Sequence, residues 1–170
     1  MALAAAALAA DSKVELASSS IIATFRQQSV PVDAPFRNFS GTIIYDAAKP
    51  AATSATLSVD MTSLDVGDDD SSAEVRKPAW FDSARYPQAV FHSSAVKPGA
   101  AGHFDATGTL TIKGRTQTIT VGITAQSAGH GNVFDGAFEI SRKAYGIGEP
   151  SWDGVLDDVV AVRFHLLAGP

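Results

Sequence analysis

The clearest alternation of hydrophobic and polar positions lies in residues 104–124, FDATGTLTIKGRTQTITVGIT. The apolar positions of its two arms are Leu110, Ile112, Ile119, Val121 and Ile123. Because these residues recur every second position between polar ones, each arm is predicted to be a β-strand with one buried and one exposed face. Gly114 stands between the arms and can adopt the positive φ of a tight turn. The stretch therefore predicts a β-hairpin, which needs further strands to cover its apolar face.

The rest of the chain repeats this two-residue period in several segments. Further strands are predicted at residues 13–16, 20–28, 30–35, 36–45, 56–61, 88–96, 133–141 and 158–167. Their apolar positions include Leu57, Val59 and Met61, then Phe134, Gly136, Phe138 and Ile140, and finally Val160, Val162, Phe164 and Leu166. Pro31 and Pro35 place residues 30–35 at a sheet edge or a bend. This series of strands predicts an antiparallel β-barrel or a β-sandwich.

One segment in the middle of the chain breaks the pattern. Residues 65–86 show no two-residue period, and the acidic run at residues 68–70 predicts the start of a short helix that extends to about Lys77. Pro78 ends this helix. The large apolar residues Trp80 and Phe81 follow it, and we expect them to pack on, or over, the end of the sheet.

Composition narrows the functional classes. The 170 residues fit one domain, which we place at residues 11–170. The net charge is −5 and the chain has no basic run, so nucleic acid is not expected as a partner. Cysteine is absent, which excludes disulfides, thiolate catalysis and thiolate metal sites.

The first ten residues, MALAAAALAA, form a small apolar run. The run contains Ala7-Leu8-Ala9, an A-x-A pattern of the kind that signal peptidase cuts, although the usual positive n-region is missing. It is too short to span a bilayer, which needs ~20 apolar residues. Residues 1–10 are therefore interpreted as a signal-peptide remnant of an exported protein, with a disordered alanine-rich tail as the alternative and with no transmembrane segment expected.

A search for catalytic or metal-binding patterns gives no candidate. The chain contains no G-x-S-x-G elbow, no Walker loop and no H-E-x-x-H helix. His92 and His165 would form a two-ligand metal site if their strands paired, but ordinary strand positions are the favoured interpretation. The acidic runs lack the ligand spacing of an EF-hand. We predict no catalytic residues, no metal and no enzymatic activity.

Several short motifs occur together in a characteristic order. They are FRNFSG at residues 36–41, SLDVG at 63–67, WFD at 80–82, YP at 86–87, FHS at 91–93, GTLTIKG at 108–114 and SRKAYGI at 141–147. In this order and spacing, residues 14–168 resemble the YceI-like family of periplasmic, lipocalin-like barrels that bind polyisoprenoids. The chain differs from many members at residues 25–32, where the family often carries a histidine, and resembles a sub-branch there.

The resemblance implies an all-β fold, an antiparallel eight-stranded lipocalin-like β-barrel with one short helical insert. It implies a periplasmic carrier of a long-tailed isoprenoid or acyl amphiphile, of the polyprenyl or isoprenoid quinone type, bound as cargo without a cofactor. The alternatives are a hydrolase or isomerase that acts on such a lipid, and a ligand-free stress-response structural protein. A barrel of this size either fills itself with side chains or holds one slender ligand, and periodicity alone favours the filled core. The resemblance leaves open whether the chain forms a homodimer.

The residues expected to contact the ligand are mainly those on the apolar strand faces. They are Phe25, Phe39, Leu57, Val59, Met61, Trp80, Phe91, Leu110, Ile112, Ile119, Val121, Ile123, Phe134, Gly136, Phe138, Ile140, Arg142, Tyr145, Val160, Val162 and Phe164. Gly136 is interpreted as room for the ligand tail, with a bulge or sharp bend as the alternative. Arg142 and Tyr145 either touch the ligand head group at the barrel mouth, or cap carbonyls and plug the barrel end.

Overall fold

Antiparallel strands close on themselves into a barrel. The computed structural model describes residues 11–170, and the predicted signal remnant at residues 1–10 lies outside this range. The strands are β1 Asp11–Val14, β2 Ser20–Gln27, β3 Val30–Pro35, β4 Phe39–Ile44, β5 Ser54–Asp60, β6 Gln88–Pro98, β7 His103–Ile112, β8 Arg115–Ala128, β9 Gly131–Ser141 and β10 Val159–Gly169, and the α-helix α1 spans Asp69–Glu74.

These ten strands occupy eight positions around the ring. β1 and β2 together form one interrupted strand, because β10 pairs with β2 along its first half and with β1 at its end. β3 and β4 form the next position in the same way, since β3 pairs with β2 and β4 pairs with β1. From β4 the ring continues through β5, β6, β7, β8 and β9 to β10. The predicted eight-stranded antiparallel barrel is confirmed.

The hairpin of β7 and β8 forms as its alternation predicts. Ile112 pairs with Arg115, which leaves a two-residue turn in which Lys113 has φ 51° and Gly114 has φ 72°. Two positive φ values are characteristic of the type I′ turn, whose twist matches that of the flanking strands. On the exposed face, the hydroxyl groups of Thr107 and Thr120 lie 2.9 Å apart. The opposite face supplies apolar side chains to the interior.

Several predicted boundaries are wrong. The predicted strand at residues 13–16 begins at Asp11 and ends at Val14, because a 3-10 turn follows at Leu16–Ser18. The predicted strand at residues 36–45 begins only at Phe39. Phe36 instead makes an isolated bridge to Leu64, in the segment that carries the helix.

The helical insert is shorter than its charge pattern suggests. Helix α1 begins after Asp68, whose carboxylate accepts the backbone N–H of Ser71 at 2.7 Å, a standard N-cap. It ends at Glu74 rather than near Lys77, because the chain turns back there and the N–H of Phe81 donates to the carbonyl of Val75. No helix in residues 11–170 has the length and apolar character needed to cross a membrane.

The two ends of the barrel carry different aromatic groups. At the end that holds the 99–102 turn, the ring of Tyr45 lies 6.2 Å from that of Phe104 and 5.3 Å from that of Phe134. At the opposite end, the rings of Trp80 and Trp152 meet edge to face at 5.4 Å. We call the cluster of Tyr45, Phe104 and Phe134 the aromatic plug, and the opposite end the insert end.

Candidate functional site

A cavity of about 580 Å³ runs through the barrel, within the ~300–1,000 Å³ range of small-molecule sites. Most of the predicted ligand-contact residues line it. They are Phe25, Leu57, Val59, Met61, Trp80, Phe91, Leu110, Ile112, Ile119, Val121, Ile123, Phe134, Phe138, Ile140, Arg142, Val160, Val162 and Phe164. The side chains from the strands share one face because alternate residues of a strand point to the same side of the sheet. Met61, Trp80 and Arg142 reach the cavity from segments outside the strands. Their contact with a ligand stays a prediction.

Three predicted residues do not line the cavity. Phe39 is buried in the packed cluster that also contains Phe104 and Phe134. Tyr145 is 1% exposed and packs beneath the insert end, and burial raises the pKa of its phenol. Phe39, Gly136 and Tyr145 thus lie outside the cavity lining, and their contact with a ligand stays a prediction without support from the cavity geometry.

At Gly136, the alternation of side chains along β9 suggested room for the ligand tail, but the structure shows no such room. A Cβ at Gly136 would overlap the ring of Phe164, its cross-strand partner, and would lie 2.8 Å from the carbonyl oxygen of Gly122. The space above the glycine is filled by the Phe164 ring instead of being open to a ligand tail. Gly136 is therefore a packing contact between neighbouring strands.

The cavity opens to solvent at one side of the insert end. Four of its lining residues are exposed polar groups, Gln27 at the end of β2 and Asp68, Ser71 and Glu74 at helix α1. Among the strands of residues 11–170, β3 pairs only with β2, and the carbonyl of Pro35 at its end accepts the N–H of Asp65. The aromatic plug stands at the opposite end, where Phe104 and Phe134 are buried. We call the four polar residues the mouth.

Arg142 lies inside the protein, and four of the five N–H groups of its guanidinium donate to protein oxygens. Its side chain is 4% exposed. Nε donates to the carbonyl of Asp157 at 3.1 Å, Nη1 to that of Ile147 at 3.0 Å, and Nη2 to the carboxylate of Asp153 at 2.9 Å and the carbonyl of Leu156 at 3.2 Å. Because all three nitrogens have protein acceptors, this geometry matches the interpretation in which the arginine caps carbonyls and fastens residues 147–157.

Lys113 connects the β7–β8 turn to the two segments that carry Pro78 and Gly146 at the insert end. Its ammonium donates at 2.8 Å to the carbonyl of Pro78 and at 2.8 Å to that of Gly146. Partial burial lowers the pKa of this lysine. Its two bonds join three separate segments and help hold Trp80 over the cavity.

Sequence reasoning missed two groups of lining residues. The first group consists of strand positions, and it includes Ile21 and the alanines Ala23, Ala34, Ala55, Ala89 and Ala106. Counting alanine as an apolar position would have found the alanines of this group. The second group comes from irregular segments and includes Val66, Val75, Trp152 and Leu156. No periodic signal marks such residues.

The histidines do not assemble into a site. β6, which carries His92, is separated from β10, which carries His165, by three strands, so the two-ligand pair does not form. Nδ1 of His165 lies 2.6 Å from the carboxylate of Asp135 on the exposed side of the sheet. Residues 11–170 contain no group of three or more metal-ligating side chains.

Comparison with protein families gives a match along nearly the whole chain. The model of the YceI-like domain matches residues 10–168. Protein YceI of Escherichia coli O6:H1 is 31% identical over 118 residues, which make up 68% of this chain and 61% of that protein. A UPF0312 protein of Azotobacter vinelandii is 30% identical over 120 residues, 66% of this chain and 62% of that protein. The matches thus span about three fifths of the length of these relatives.

Solved structures show the same fold. The crystal structure of BcnA from Burkholderia cenocepacia has a TM-score of 0.88 at 38% identity, covering 91% of this chain and 98% of BcnA. A polyisoprenoid binding domain from Saccharophagus degradans has a TM-score of 0.75 and covers 95% of this chain and 98% of that domain. At 19% identity, this second likeness concerns the fold alone.

Proposed function

The chain belongs to the YceI-like family, and we propose that it is an exported, periplasmic carrier of an amphiphile with a long isoprenoid or acyl tail. The observation that carries this proposal is the apolar cavity that extends from the mouth to the aromatic plug. The Saccharophagus degradans domain of the same fold is named as polyisoprenoid binding, which supports a tail of the polyprenyl or isoprenoid quinone type.

The apolar tail should contribute more binding free energy than the head group. A tail that buries ~400 Å² of apolar surface gains roughly 10 kcal/mol before the costs of ordering and immobilisation. One hydrogen bond to a head group contributes only about 1 kcal/mol in net terms. The apolar wall therefore supplies most of the affinity, and the head group fixes which end of the ligand lies at the mouth.

The cavity favours carriage over the structural alternative. In a ligand-free structural protein, the inward side chains would meet and fill the barrel. Here the alanines Ala23, Ala55 and Ala106 lie at inward positions, and their short side chains leave space inside the barrel between its two aromatic ends. This spacing supports a protein built around a guest molecule.

Carriage needs no chemical step. Each nitrogen of the Arg142 guanidinium donates to a protein acceptor. The histidine–carboxylate pairs, His165 with Asp135 and His130 with Glu15, involve exposed imidazoles outside the cavity. We therefore propose binding and transport rather than hydrolysis or isomerisation of the lipid.

Mass spectrometry of an organic extract tests the proposal. Protein purified under native conditions from a periplasmic fraction should carry a long-tailed lipid in nearly stoichiometric amount. Sequencing of the mature N-terminus, expected near Ala10 or Asp11, tests the export. Repeated native preparations without any lipid would contradict the carrier function.

A matched pair of variants links the lipid to the cavity. Ala23→Phe places a ring in the cavity, whereas Ala161→Phe places the same ring on the exposed face of the neighbouring strand. We expect the first variant to retain less than a tenth of the co-purified lipid and the second to retain all of it. Equal lipid content in both would show that the lipid binds elsewhere.

A further inference from the structure

One segment of the insert end is folded on itself as a separate unit. Residues 68–83 begin after Gly67, which has φ 109°, and near their other end Asp82 has φ 49°. Within the segment, the N–H of Phe81 donates to the carbonyl of Val75 at 3.0 Å. A Cβ at Gly67 would meet no atom within 4 Å, so this position is free to absorb a hinge rotation. We call residues 68–83 the lid.

The lid forms part of the cavity wall. It supplies three apolar lining residues and three of the four residues of the mouth. These six are Val75, Trp80, Phe81, Asp68, Ser71 and Glu74. The position of the lid therefore sets the width of the mouth, and an outward swing of the lid would open the apolar cavity along one side.

Few bonds hold the lid to the rest of the barrel. Within residues 11–170, two hydrogen bonds join the lid to segments beyond residues 60–87. The ammonium of Lys113 donates to the carbonyl of Pro78 at 2.8 Å, and the N–H of Gly148 donates to the carbonyl of Ala79 at 2.9 Å. The two acceptors are neighbours in the chain, so the lid is fastened at one point.

Lys113 is the side chain at this point. Its ammonium also donates to the carbonyl of Gly146 at 2.8 Å, which ties the lid to the segment that follows β9. None of Lys113, Pro78 and Gly146 lines the cavity. The bonds of the lysine therefore lie outside the space that a guest would occupy.

We propose that the lid opens to admit and release the lipid, and that Lys113 is a positioning residue that sets the rate of this opening. The inference rests on the proposed carrier function and gives the route by which the guest enters and leaves. Because the bond between Lys113 and Pro78 lies outside the cavity, it stabilises the closed lid equally in the empty and the loaded protein. Its loss should speed entry and release by the same factor and leave the affinity nearly unchanged, since only differential binding shifts an equilibrium.

Release kinetics of a defined lipid test the role of the lysine. Lys113→Met removes the ammonium and keeps a long side chain. Protein loaded with geranylgeraniol is mixed with excess phosphatidylcholine vesicles, and Trp emission in a stopped-flow instrument follows the release. We expect release from the variant to be roughly tenfold faster, which corresponds to about 1.4 kcal/mol, with a dissociation constant within twofold of that of the unaltered protein.

Two further variants assign the effect to this bond. Lys113→Arg keeps a cationic donor, and its release rate should stay within threefold of that of the unaltered protein. Lys97→Met is the matched control, because Lys97 is an exposed residue of β6 next to the 99–102 turn, at the opposite end of the barrel. Release from this control should be unchanged.

Hydrogen exchange of the lipid-free protein, followed by NMR, reports the lid directly. The N–H of Gly148 is bonded to the lid, so its exchange requires the lid to leave, whereas the N–H of Phe81 is bonded within the lid. In Lys113→Met we expect exchange roughly tenfold faster at Gly148 and within twofold of the unaltered rate at Phe81. This pair of amides distinguishes an opening lid from an unfolding segment.

The outcomes separate the lid from the carrier function. Unchanged release from Lys113→Met, or equal acceleration in Lys97→Met, would overturn the role of the lysine while carriage stands. Faster exchange at Phe81 as well as Gly148 would show local unfolding and refute the lid, and so would a weakened affinity with unchanged entry. If no lipid co-purifies and geranylgeraniol does not bind, the carrier function fails and the proposed gating fails with it.

Discussion

Replacing Arg142 by methionine should destabilise the barrel more than it weakens lipid binding. The substitution keeps a long apolar stem but leaves the Asp153 carboxylate and the carbonyls of Ile147, Leu156 and Asp157 without their donor. Because the guanidinium is almost fully buried, water cannot replace it without opening the structure. The segment that carries Trp152 then loses its attachment to the end of β9.

The size of the effect follows from these contacts. The Asp153 carboxylate is 42% exposed and keeps the ammonium of Lys143 at 3.0 Å, so the cost comes mainly from the three carbonyls. A buried acceptor left without its donor costs about 1–3 kcal/mol, and we take about 3–5 kcal/mol for the three together. In a domain of this length each kcal/mol shifts the melting temperature by roughly 2–4 °C, so we expect a decrease of about 6–20 °C. Arg163→Met is the matched control, because the side chain of Arg163 is 53% exposed and bonds to Asp33 and Thr24 at the surface. Exposed ion pairs contribute little, and the control should melt close to the unaltered protein.

Thermal unfolding and lipid titration on the same preparations test this reasoning. Lipid affinity, measured well below the melting temperature, should change less than threefold in Arg142→Met. A variant with unchanged stability and strongly weakened binding would show that the guanidinium holds the ligand head group. That result would refute the structural role of this arginine.

Three further predictions concern the packing at Gly136, the position of Trp80 over the cavity, and the acid sensitivity that Asp60 gives the barrel. Gly136→Leu should lose roughly 1–3 kcal/mol of unfolding free energy through overpacking, as measured by urea denaturation, and unchanged stability would place open space above this residue. In a Trp152→Phe background, a long-tailed alcohol should shift the emission of Trp80, which lines the cavity, and constant emission at saturation would argue against its role as cover. Hydrogen bonds from Thr62 lower the pKa of Asp60 from its ordinary value of 3.8. The stability this carboxylate contributes is therefore present above pH ~4 and lost as the pH falls through its folded-state pKa, so Asp60→Asn should flatten the acid part of the stability curve, and an unchanged curve would contradict this assignment.

The strands could be predicted because their side chains alternate strongly. Each hairpin arm with Thr, Ile and Val at alternating positions reports which residues face inward, and the hairpin of β7 and β8 agrees with that pattern at every apolar position named. Alternation does not report which distant strands pair. Closure through β10 depends on a break at Leu16–Ser18, which lets β10 pair with β2 and then with β1. The pattern alone does not contain that information.

The cavity wall was predictable to the extent that it consists of regular strands. Residues such as Val121 and Val160 follow from the two-residue period, whereas Val75 and Trp152 come from segments without a period. Gly136 marks the limit most clearly, because alternation shows where its Cβ would point but not that the Phe164 ring already fills the space. Such a cross-strand contact depends on register, which only the folded chain defines.

The distribution of large and small side chains explains why this barrel holds a cavity. Rings occupy both ends, with Phe104 and Phe134 in the aromatic plug and Trp80 in the cover. Between them, alanines such as Ala55 and Ala106 take inward positions where leucine or phenylalanine would close the core. A void of this size forfeits many dispersion contacts, which a chain selected for stability alone would regain by larger side chains. Since substitutions of that kind are simple, the retained alanines indicate that the space itself is the useful feature, as expected if a flexible apolar tail supplies the missing contacts.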